Sequence, residues 1–346
     1  MESISPNSNK PFWVDLIKPY QIPNHWKSAW QLVNSVVPYF LIWGLMIYSL
    51  HISYFITLTL ALLNALFMMR IFIIQHDCGH NSFFSSTKLN DFVGSLLGVI
   101  TLTPYYLWRR THAKHHASSG DLDLRGVGDI KTVTVEEYEA MSPAGKFYYR
   151  VYRSPLVKFG VGPLLLFVVA HRFAFGVEKK EWRERKSVYA TNIALATVFI
   201  LLSSWLGALT VVKLWLPIMV FASSIGVYLF YVQHQFEDTY WRWHAEWDYT
   251  DAALRGSSFF KLPKVLQWFS GNIGFHHVHH LSPRIPNYNL ERAHYDNDIF
   301  KQVKTITLIS SFKTIFLHLW DEQTHKLISW RDYQRLRFER AGQAGI

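Results

Sequence analysis

Residues 28–69 contain no Asp, Glu, Lys or Arg. A run of 42 uncharged residues is hard to place in a soluble domain, yet it matches two bilayer crossings of about 20 residues each. Ser49-Leu50-His51-Ile52-Ser53 supplies a polar turn between them. The pattern recurs further on. Residues 187–212 and 214–236 are free of Asp, Glu, Lys and Arg and are separated by Lys213 alone, with Trp205 and Trp215 near the turn as interface anchors. The chain therefore reads as an all-α integral membrane protein with two transmembrane helical hairpins. Its four spans fall at about 31–50, 54–74, 188–207 and 214–234.

Two other apolar runs are too short to add to that count. Residues 92–108 are interrupted by Gly94, Gly98, Thr101, Thr103 and Pro104, and residues 159–171 give only 13 positions between charges. Both fit re-entrant or interfacial segments better than crossings. With two hairpins and nothing else crossing, residues 76–187 and 235–346 share one face. They would form a helical cap, and the whole chain, residues 1–346, one membrane domain. Charged residues are only 17% of the sequence, against roughly 25% in a typical soluble domain. Basic residues concentrate in the cap, at Arg109, Arg110, Lys114 and the run EKKEWRERK (178–186), whereas the hairpin turns hold none but Lys213. The positive-inside rule then places the termini and the cap in the cytoplasm, on a bacterial cytoplasmic membrane. EKKEWRERK itself reads as a solvated helix start. The net charge of +10 suits anionic lipid headgroups or an acidic redox partner, and no nucleic acid is expected. The first residues, MESISPNSNKPFW, lack the basic-then-apolar order of a secretory signal. A single cysteine, Cys78, excludes an intrachain disulfide and reads as a packing residue.

The chemistry of the cap is written in histidine. Three clusters stand out: HDCGH (His76, His80), HAKHH (His112, His115, His116) and HHVHH (His276, His277, His279, His280), with His234 apart in QHQFED. Offsets of three and four stack side chains on one helix face. Neutral imidazole is a common metal ligand. Eight such rings, nine with His234, are too many for one ion and imply two. His277 fills an x position of HxxHH and points away, so it is excluded. His25, His51, His171, His244, His294, His318 and His325 have no spacing partner and read as ordinary. Imidazole suits Zn, Cu, Fe and Ni alike, so the metal stays open at this point. The chain has no HExxH, which removes support for a zinc peptidase. Two imidazole-rich metals beside a bilayer suit oxygen chemistry on an apolar substrate. Ligating histidines usually donate their second N–H to a carboxylate or carbonyl. Asp77, Asp121, Asp123, Glu237 and Asp238 lie near enough in sequence to serve.

These boxes, with hydrophobic hairpins between and around them, resemble the membrane-bound fatty acid desaturases. IFIIQHDCGHNSFF, LDLRGVGDI, YVQHQFEDTYW and GSSFFKLPKVLQWFSGNIGFHHVHHLSPRIPNYNLE are similar to acyl-lipid delta-5 enzymes of Bacillus type. The similarity runs from about residue 30 to about 325. The resemblance implies two non-haem irons, O2 as oxidant, and removal of two hydrogens from an acyl chain of a membrane phospholipid. It implies that His76, His80, His112, His115, His116, His276, His279 and His280 ligate iron, that His234 adds to them, and that Asn272 holds a water near one metal. Zinc could replace iron in recombinant protein. No HPGG haem-binding sequence is present, so a separate ferredoxin or flavodoxin is the expected donor. The double bond would be at delta-5, with delta-12 or omega-6, delta-9 and delta-10 as alternatives. Oligomeric state is not legible. A di-iron hydroxylase of fatty acids, alkanes or carotenoids is the nearest alternative activity. A metal-binding transporter is remote, because the histidines lie outside the spans.

Overall fold

A computed structural model describes residues 11–126 and 128–344. Four of its helices are long and apolar enough to cross a membrane: His25–Ser49, Tyr54–Gly79, Trp182–Leu206 and Ala208–His234. The first begins where the Asn24 side chain accepts a hydrogen bond from the Lys27 amide. It ends at residues 50–53, and a 2.8 Å hydrogen bond between the Ser49 and Thr57 hydroxyls ties the first helix to the second across that turn. The second hairpin turns at a single residue, Gly207, whose φ of +84° is a conformation that side-chain-bearing residues rarely adopt. The second helix is the most buried of the four and packs against both the first and the fourth. Trp30, Phe40, Leu41, Phe55, Ile193, Ile200 and Leu209 remain exposed along the spans, which is the expected state of side chains whose solvent is lipid.

The helices overrun the apolar stretches that announce them. The third begins at Trp182 and carries Arg183, Glu184, Arg185 and Lys186 in its first turns, because no glycine or proline stops it there. The interrupted run near 92–108 becomes two helices, Thr87–Ile100 and Tyr105–Ser118. The corner between them is tight. A Cβ on Gly94 would sit 2.3 Å from the Tyr105 ring, and one on Gly98 would sit 2.5 Å from the Thr103 carbonyl. Leu102 takes a φ of +57° to make the turn. The apolar stretch at 159–171 is also broken, into Val157–Val161, with a π-type turn, Gly162–Val168 and Ala170–Arg172. Together with Pro143–Tyr152 these form a helix pair bent by 57°.

Two small sheets, unforeseen in the all-helical reading, pin the cap. Val133–Thr134 runs parallel to Leu317–Asp321, which pairs antiparallel with Lys326–Ser329. Phe259–Lys261 runs parallel to Thr305–Thr307. They fasten the C-terminal quarter onto the segments that carry the histidines. Beneath the third histidine cluster lies an apolar core of Phe259, Phe275, Val278, Leu281, Leu290 and Phe300.

Candidate metal centre

Four helices bring histidines to one end of the bundle. The second span delivers His76, and its C-cap residue is His80. The helix Tyr105–Ser118 delivers His112, His115 and His116. The fourth span ends on His234, and the short helix His276–Leu281 carries the third cluster. The rings divide into two groups. His76, His80, His112, His116 and His279 each offer a nitrogen to a first group, and His115, His234 and His280 to a second, with all donor atoms in a group within 4.8 Å of one another. His276 joins the second group, its Nε2 lying 2.9 Å from that of His234. Each HxxHH box is therefore split. Residues four apart, His112 with His116 and His276 with His280, stay together, and the third ring of each box turns to the other group.

The nitrogens face one another as a metal would require. Nε2–Nε2 separations are 3.1 Å for His112 and His116, 3.0 Å for His116 and His279, and 3.2 Å for His115 and His234. Two nitrogens bound at about 2.0–2.1 Å and about 90° apart on one ion lie about 3 Å from each other. Nε2 of His80 and of His280 are buried and have no hydrogen-bond partner. Such orphaned donor atoms are costly in a protein interior unless something binds them. Burial, then the neighbouring imidazoles, holds His80, His112, His115, His116, His276, His279 and His280 well below the ordinary histidine value. These rings are neutral at pH 7, the form that binds a metal. The residues present thus fit a pair of metal ions.

A cavity of about 650 Å³ opens beside the rings. Its walls include Met68, Met69 and Phe72 from the second span, Met219, Ala222 and Gly226 from the fourth, and Leu166 and Phe167 from the bent pair. His76, His112 and His276 line it as well, so an apolar passage from the bundle interior meets both groups. Trp108 stacks on His112 with centroids 4.6 Å apart, and Phe230 packs against His115 and His234.

The family model for fatty acid desaturases matches residues 52–304, the stretch that carries all these histidines. The chain belongs to the fatty acid desaturase family. It is 47% identical over 313 residues to a fatty acid desaturase of Bacillus subtilis (strain 168), covering 89% of this chain and 87% of that one. It is 28% identical to an sn-1 oleoyl-lipid 12-desaturase of a Synechocystis species, over 64% of this chain and 63% of the relative. It is 26% identical to an sn-2 acyl-lipid omega-3 desaturase (ferredoxin), chloroplastic, of Arabidopsis thaliana, over 79% of this chain and 61% of the relative. The protein is a fatty acid desaturase, an oxidoreductase, and an integral membrane protein.

Around the rings of the desaturase, the supporting contacts differ from those the sequence suggests. Asp77 takes its place: its Oδ1 lies 3.1 Å from His76 Nδ1, and its Oδ2 accepts from the backbone and side-chain nitrogens of Asn287 at 2.7 and 2.8 Å. His234 uses a backbone group instead, with Nδ1 3.2 Å from the Gly256 carbonyl. Both contacts leave Nε2 free to face its group. Glu237 and Asp238 do not approach the rings, because the fourth helix ends at His234 and the chain turns outward. They form surface ion pairs, Glu237 with Lys326 at 2.8 Å and Asp238 with Lys304 at 2.6 Å. Asn272 is likewise engaged elsewhere: its amide donates to the Asn287 carbonyl and accepts from Gln267. Asp121 and Asp123 hold His244, not a clustered ring. His277 points away, its Nε2 2.9 Å from His294 Nδ1. Cys78 is buried in the main core. Gly256, Asn287, Trp108 and Phe230 had no sequence signal, since their roles depend on contacts between distant segments.

Proposed function

We propose that the desaturase uses His76, His80, His112, His116 and His279 for one iron and His115, His234, His276 and His280 for a second. It introduces a cis double bond into acyl chains of membrane phospholipids. The observation that carries this reading is the division of nine rings into two facing groups beside one apolar cavity. The overall change converts –CH2–CH2– and O2, with two electrons and two protons, into –CH=CH– and two waters. When bound, the irons supply the O2 activation that lets unactivated C–H bonds be broken. The chain's own residues do the rest. Cavity walls align the acyl chain past His76, His112 and His276. Asp77 and the Gly256 carbonyl fix the tautomers of His76 and His234. Burial keeps bulk water from the reacting carbons.

The two electrons come from a separate ferredoxin or flavodoxin, which the basic cap suits; the Arabidopsis relative is a ferredoxin enzyme by name. The termini and cap face the cytoplasm of a bacterial membrane. The 57° bend between Pro143–Tyr152 and Val157–Arg172 supports a re-entrant reading of that pair, in which it does not cross and all histidines stay on one side. The favoured position is delta-5, from the resemblance of LDLRGVGDI and neighbouring stretches to Bacillus-type enzymes. Delta-12 or omega-6, delta-9 and delta-10 are its competitors. Expression in a host that lacks the activity tests this. New monoenes with the bond at delta-5, lost two hydrogens and no added oxygen, together with about two irons per purified chain, are expected. Alcohols in place of alkenes would overturn the reaction, and one iron per chain would overturn the metal count.

A further inference from the structure

One basic residue on the wall of the cavity takes no part in the chemistry above. Lys158 lies in the π-type turn of the bent pair and is only 5% exposed. Its ammonium donates one hydrogen bond, to the Ile315 carbonyl at 2.9 Å, and sits 4.0 Å from the centre of the Tyr231 ring. Once protonated it has three donors, and two of them have no hydrogen-bond partner among the described residues. Among the described residues, no carboxylate pairs with it. A lysine with only a structural job usually sends its head to water along an apolar stem. Lys158 does the reverse, keeping its amine inside on a residue that lines the same cavity as His76, His112 and His276, where burial and then Arg153 push its pKa down to about 6. Arg153, fully buried five residues earlier, adds a second positive charge. That guanidinium is already taken up by Lys131 O, Thr132 Oγ1, Gln235 Oε1 and Leu317 O. A buried amine without a counter-ion regains its proton, and with it its charge, when an anion comes within reach.

We infer that Lys158 binds an anionic oxygen group at the carboxyl end of the acyl substrate, either a carboxylate or the phosphodiester of a lipid, and so fixes the carbon count from that end. The inference rests on the acyl-chain reading of the cavity. Tyr231, under the ammonium, lies three residues before His234, less than one helical turn away. An anchor that close to the second histidine group leaves a short length of chain between the head of the substrate and the reacting carbons. A double bond near the carboxyl end follows.

Binding to the purified full-length protein in nonionic detergent tests this, with palmitate, palmitoyl lysophosphatidylglycerol and neutral methyl palmitate competing against a fluorescent acyl probe. Wild type is expected to bind one or both anions at least about tenfold more tightly than the methyl ester. Preference for palmitate alone identifies a carboxylate, and preference for the lysolipid identifies a phosphodiester. Lys158→Met and Lys158→Gln should bind all three alike while keeping the affinity for the ester, which also reports their folding, and Lys158→Arg should keep the preference. Expressed in membranes, Lys158→Met should scatter the double bond over several positions. Wild type without a preference for either anion, or variants that retain it, would overturn the inference while leaving the acyl cavity standing. Wild type that binds none of the three, the ester included, would overturn the acyl reading and this inference with it.

Discussion

The two histidine groups share one ring chemistry but are supported differently. Behind the first stands a carboxylate, Asp77, itself held by two nitrogens of Asn287, whose Oδ1 accepts from Gln31 of the first span. Behind the second stands a backbone carbonyl, that of Gly256, which faces His234 Nδ1. A carboxylate raises the basicity of its histidine more than a neutral carbonyl does, and it offsets part of the ion's charge. The first group also gathers five rings against four. The sites should therefore differ in grip, with the first the tighter and its affinity resting on a single buried acid.

That asymmetry can be broken at three depths. The largest effect is expected from removing one ring from each group. His279→Ala and His280→Ala should each lose one of two irons and lower desaturation by more than about 100-fold, read as metal content and lipid products. If either variant keeps both ions and full activity, the division of the third box between two sites fails. Asp77→Asn should act on one side only. It is expected to weaken retention of the first ion by about 10–100-fold, measured by chelator titration, while the second ion stays. Equal loss from both sites would show that the carboxylate does not distinguish them. The smallest effect belongs to Glu237→Gln with Asp238→Asn. These acids make exposed ion pairs, so stability should move by no more than about 1 kcal/mol and product yield should match wild type. A fall in iron content there would return both acids to the centre.

The gathering of the histidine boxes was legible because offsets of three and four, written directly in the chain, put their rings on one helix face. The division of each box was not, since His115 and His116 are neighbours in sequence and only the packed bundle shows them facing different groups. Supporting residues were legible where they share a helix with a ligand, as Asp77 does with His76. They were misread where a helix ends. Glu237 and Asp238 sit three and four residues after His234, but the helix stops, and helical offsets no longer say where a side chain points. Gly256 and Asn287 reach their rings across the fold, and nothing local announces them. The four crossings could be read from missing charge alone, because lipid imposes that pattern. The two- to five-residue strands of the cap are too short to leave an alternation in the sequence. Lys158 was seen only as the charge that ends an apolar run.

The position of the third box has a consequence in time. Both groups need rings from the helix His276–Leu281, which follows the last crossing. On the ligand sets proposed above, neither would be complete while the ribosome is still making the earlier four-fifths of the chain, however well the first hairpin has inserted. Full loading of both proposed sites would therefore follow synthesis of all four crossings. A chain truncated before residue 276 would still carry the membrane anchors but would have no means of starting oxygen chemistry in the bilayer around it.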